Sequence, residues 1–73
     1  MSKERIEKDF LESVGHRFKP IRENKNLTQE QVYEATQINL DRIENAKTNY
    51  SLSTFHILCK FYEISPEEFF KGL

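Results

Sequence analysis

The side chains with the most specific chemistry in this 73-residue chain fall in one short stretch, at Asp41, Arg42 and Asn45. A guanidinium can pair bidentately with O6 and N7 of guanine, and a carboxamide with N6 and N7 of adenine. A carboxylate can accept from the cytosine amine. Each such pair is worth about 1–3 kcal/mol of discrimination. Catalysis has no comparable candidate: no nucleophile–base pair, carboxylate pair or metal-ligand cluster stands out. No enzymatic activity, cofactor or small-molecule substrate is therefore expected. Cys59 is the single cysteine, so it cannot form an internal disulfide, and on an apolar helix face it reads as a small core residue. His16 and His56 lack a partner pattern and read as structural or surface residues.

These side chains need rigid elements to hold them, and the chain encodes helices. Ile6, Phe10, Val14, Phe18 and Ile21 recur every three or four residues, which predicts a first helix from about residue 3 to 24. Pro20, which removes the bond to the carbonyl of His16, predicts a kink or break near residues 16–20. A second pattern then repeats: an apolar residue, a capping residue, and another apolar residue four positions after the cap. Its instances are Leu27-Thr28 with Val32, Ile38-Asn39 with Ile43, Tyr50-Ser51 with Phe55, and Ile64-Ser65 with Phe69. Each has the spacing of a hydrophobic staple, and Thr28 with Gln31 and Ser65 with Glu68 also match a capping box. Helices are thus expected at about 28–36, 39–46, 51–62 and from 65 onward. The fourth should bury a stripe of Leu52, Phe55, Leu58, Cys59 and Tyr62, with Ile57 and Phe61 off it. Only about two residues join the second helix to the third, which forces a sharp crossing of helix-turn-helix type. Two glycines, two prolines and no alternating apolar pattern leave no support for strands. The expected fold is all-α, a compact five-helix bundle forming a single domain over residues 1–73.

LTQEQ, RIENAK and SLSTFHILCKFYEISPEEFF make residues 14–70 resemble the Cro and lambda-repressor type of helix-turn-helix domain, the XRE family of bacterial and phage regulators. The resemblance implies sequence-specific binding of double-stranded DNA in the cytoplasm, usually as a homodimer on a palindromic operator. It implies a third helix in the major groove, with Leu40 and Ile43 turned inward, Arg42 as the leading base contact, and Asn45 and Asp41 beside it. Gln29 matches the family residue that reaches a phosphate, while Asn39, Lys47 and Asn49 are further backbone-contact candidates. Structural roles compete with several of these: Asn39 and Thr28 are good caps, Asn45 and Asn49 suit helix ends and turns, and Arg42 could pair with a nearby glutamate. The stretch Thr28–Glu44 is about three residues shorter than the family pattern. Either the end or the start of the third helix is therefore trimmed. Gln37, Ala46 and Glu63 stand where the family has glycines, so those junctions are either strained or differently shaped.

Eleven Lys and Arg against twelve Asp and Glu give a net charge of −1, unlike the basic footprint usual for nucleic-acid binders. The charges are polarised, however. Residues 1–27 hold seven basic and five acidic side chains, and residues 28–73 hold four and seven. Arg17, Lys19, Arg22 and Lys25 could flank a DNA-facing surface from the first helix. Modest affinity per monomer is expected, which makes dimerisation important. Phe61, Phe69, Phe70 and Leu73, part of an aromatic excess near the C-terminus, are the expected dimer surface. No apolar run approaches a membrane span. The alternative function is a protein–protein interaction module that keeps the fold without specific DNA readout.

Overall fold

Every helix start anticipated from the staple pattern carries its cap. The computed structural model describes residues 7–45 and 49–73, which form α1 (Lys8–Asn24), α2 (Gln29–Thr36), α3 (Leu40–Glu44), α4 (Leu52–Tyr62) and α5 (Pro66–Lys71). Thr28 Oγ1 accepts from the Gln31 amide at 3.1 Å, and Gln31 Oε1 accepts in return from the Thr28 amide at 2.8 Å. This reciprocal box satisfies two orphan donors at the start of α2. Asn39 caps α3, Ser51 caps α4, and Ser65 caps α5 through the Glu68 amide at 3.0 Å. Each cap is worth about 1 kcal/mol.

The staple partners are what the caps deliver to the core. Val32, Ile43, Phe55 and Phe69 are all buried, with Leu27, Ile38, Tyr50 and Ile64 packed partly against them. Phe18 of α1 sits at the centre, its ring centroid 4.7 Å from Phe69, 5.9 Å from Phe55 and 6.1 Å from Tyr62. α1 lies against α3, α2 against α3 and α4, and α5 against α4. Arg17 ties α5 back to α1: its Nε donates to the Phe69 carbonyl at 2.7 Å, and its guanidinium lies over the Phe69 ring.

Several expectations need correction. α1 runs unbroken through Pro20. Both Pro20 and His16 are exposed, so the carbonyl that loses its partner faces water and the helix forfeits one bond rather than its continuity. α1 begins at Lys8, with Glu7 at its cap position, and residues 3–6 lie outside the described ones. Phe10 is half exposed and Leu52 is 85% exposed, so neither belongs to the core. Leu52 is the first residue of α4, where the stripe has not yet turned inward. Phe69, expected at a dimer surface, is fully buried among Phe18 and Phe55. Gln37 and Glu63 do adopt left-handed backbone, with φ of 65° and 60°, at a cost of about 1 kcal/mol or more each. Those junctions keep the shape a glycine would give and carry the strain; Ala46 lies outside the described residues.

Candidate nucleic-acid interface

α2 and α3 are joined by three residues, and each of the three has a defined task. Gln37 turns left-handed and ends α2, the Ile38 amide donates to Thr36 Oγ1 at 3.1 Å, and Asn39 Oδ1 accepts from the Asp41 amide at 3.1 Å. The turn therefore has side-chain partners that fix where α3 begins. α3 is only five residues long, keeping both its Asn39 cap and its Arg42-Ile43-Glu44 end. Leu40 and Ile43 point inward, as the resemblance implied.

Glu44 also points inward, to a cluster that fastens the three N-terminal helices together. Arg22 of α1 holds it bidentately, with Nε to Oε2 at 2.8 Å and Nη2 to Oε1 at 3.1 Å. Arg22 Nη1 donates to the Leu27 carbonyl at 2.8 Å, and Gln29 Nε2 of α2 donates to Glu44 Oε1 at 3.0 Å. Both charged side chains are nearly excluded from water. Hydrogen bonding to the Glu44 carboxylate raises the Arg22 pKa despite the opposing effect of burial. Burial pushes Tyr62, close to this pair, up to about 12, with the Glu44 charge adding to the shift and Arg22 opposing it. Its hydroxyl has no partner among the described residues. Burial also raises the Cys59 thiol pKa, which disfavours the reactive thiolate.

The exposed side of α3 thus carries Asp41, Arg42 and Asn45. Asn45 Nδ2 donates to the carbonyl and to Oδ1 of Asp41, both at 2.9 Å, so these two serve each other and the helix end. Arg42 has no hydrogen bond or ion pair among the described residues. Gln29 spends one amide hydrogen on Glu44 and keeps the second. Asn39 is exposed, with its oxygen engaged in the cap. Asn49 is exposed ahead of α4 and has an interaction of its own. Lys47 lies outside the described residues.

A family model described as helix-turn-helix matches residues 19–69, from the middle of α1 into α5. The chain belongs to the Cro/C1-type helix-turn-helix family. No curated protein and no solved structure matches it. Within that family frame, α2 and α3 are the helix-turn-helix, and two of the four cations expected to flank it are committed elsewhere. Arg22 serves Glu44 and Arg17 serves the α5 carbonyls, which leaves Lys19 and Lys25 exposed. The Glu44 cluster was missed because its members are 22 and 15 residues apart. Tyr33, not singled out from the sequence, is 47% exposed on α2. It lies one helical turn after Gln29.

Proposed function

We propose that this helix-turn-helix chain is a transcription regulator that binds duplex DNA as a homodimer on a palindromic operator, with α3 in the major groove. The observation that carries the reading is Arg42, an exposed guanidinium without a partner among the described residues, on a helix whose other polar side chains are engaged. Gln29, Asn39, Lys47 and Asn49 are the proposed backbone contacts, and Asp41 and Asn45 support the exposed face. In a salt titration on a preferred duplex, log affinity should fall with log salt. Arg42→Ala should weaken that duplex by about tenfold, within the range of one bidentate base contact, and should weaken unrelated duplexes much less. Unchanged sequence preference in this variant would sink the assignment.

For the homodimer, the support is exposed apolar surface. Phe10, Leu52 and Phe70 line a groove of about 290 Å³ between the starts of α1 and α4 and the end of α5. Leu73 is also half exposed, whereas Phe61 is partly buried beside Tyr62. Leu52→Lys alters an 85% exposed side chain and should leave the fold intact. Light scattering at tens of micromolar is expected to show dimers for the native chain and monomers for this variant. A native chain that stays monomeric would remove the dimer from the proposal.

A second reading has one observation in its favour. Glu30, Glu34 and Asp41 are exposed on α2 and α3 against Arg42 alone. Such a face suits a basic protein partner better than a phosphate backbone. Absence of DNA binding even at low salt would favour this protein-interaction reading.

A further inference from the structure

We propose that Tyr33 is a base-reading residue, and that the hollow it lines between α2 and α3 receives the methyl group of a thymine in the bound duplex. The inference rests on the DNA-binding reading above and extends it to a residue outside α3. The hollow has a volume of about 340 Å³ and is lined by Gln29, Glu30, Tyr33, Asn39 and Leu40. It adjoins the first turn of α3, the part of a recognition helix that lies nearest the base edges.

Three features say what the hollow takes. A five-residue α3 whose Asp41 and Asn45 bond to each other offers little further reading surface. The adjoining hollow extends it. The Glu30 carboxylate lines the hollow and repels a phosphate from its interior, so the phosphates proposed for Gln29 and Asn39 sit outside it. The Tyr33 ring, half exposed with Leu40 beneath, offers an apolar wall instead. Thymine is the base whose major-groove edge combines a methyl group with an adjacent O4 acceptor. The methyl would contact the ring, and the Tyr33 hydroxyl, with no partner among the described residues, would donate to O4.

The test starts from a duplex selected by the native chain from a random pool. Each thymine is then exchanged for uracil, which removes only the methyl. One exchange should weaken native binding by about fourfold, the value of one buried methyl group. The same exchange should have no effect on Tyr33→Ala and should keep its effect on Tyr33→Phe, with circular dichroism showing that both variants fold. Equal losses in the native chain and Tyr33→Ala would overturn the assignment while leaving DNA binding in place. So would a native chain indifferent to every thymine methyl, a result that needs no variant to fold. Selection of no duplex at all would defeat the DNA-binding reading itself, and this inference with it.

Discussion

Glu44→Ala is expected to leave the domain unfolded, or close to it, at room temperature. The substitution strands the Arg22 guanidinium, which keeps the Leu27 carbonyl but loses both bonds to the carboxylate. Removing one partner of a buried ion pair costs about 3–5 kcal/mol, because the remaining charge has neither water nor a counter-ion. A core in a chain this short supplies about the same amount in total. The paired replacement Arg22→Met with Glu44→Leu should behave differently, because it removes both desolvated charges and fills their space. Its stability is expected within about 1 kcal/mol of the native chain, or above it. Urea unfolding followed by circular dichroism separates the two cases. A loss below about 1 kcal/mol for Glu44→Ala alone would mean that the pair is far wetter than its 9% and 3% side-chain exposures indicate.

The same cluster explains what the sequence could and could not disclose. Thr28, Asn39, Ser51 and Ser65 were legible because a cap acts on amides two or three residues away. The staple partners were legible because they follow each cap by one helical turn. Arg22 was misread as a surface cation because its charge partner lies two helices away. Nothing local distinguishes it from Lys19, which is exposed. Leu52 and Phe10 were misplaced for a related reason: helical periodicity gives a face but not where the neighbouring helix ends. At the candidate interface, the short α3 and its inward Leu40 and Ile43 could be read in advance. For Asn45 a helix-end role stood open beside base contact, and its bonding to Asp41 was not foreseen. Their four-residue spacing also fits two side chains reaching independently for bases, and only the rotamers decide.

Gly15→Ala should lower the melting temperature by about 8–16 °C, although helix propensity alone predicts a gain. Gly15 lies inside α1 with negative φ, so alanine there would stabilise an isolated helix by about 1 kcal/mol. In the bundle its Cβ would run into the carbonyl oxygen of Ile43 and lie 3.3 Å from the carbonyl carbon. Both atoms are backbone and cannot rotate away. Overpacking costs about 1–3 kcal/mol, and a rigid neighbour puts this case at the upper end, for a net loss of about 2 kcal/mol. For a domain of this size each kcal/mol is worth about 4–8 °C. Gly72→Ala is the contrasting case, because the atoms nearest its Cβ are the guanidinium end of Arg17, a flexible side chain that can move at the expense of its bonds to the Phe69 and Glu68 carbonyls, whereas backbone cannot. The contact also matters to the interface, since pushing α3 off α1 pulls Glu44 from Arg22 and tilts Arg42 with it. DNA affinity measured well below the transition should therefore fall in Gly15→Ala while helicity is retained. If Gly15→Ala instead melts higher than the native chain, α1 and α3 do not cross at this glycine.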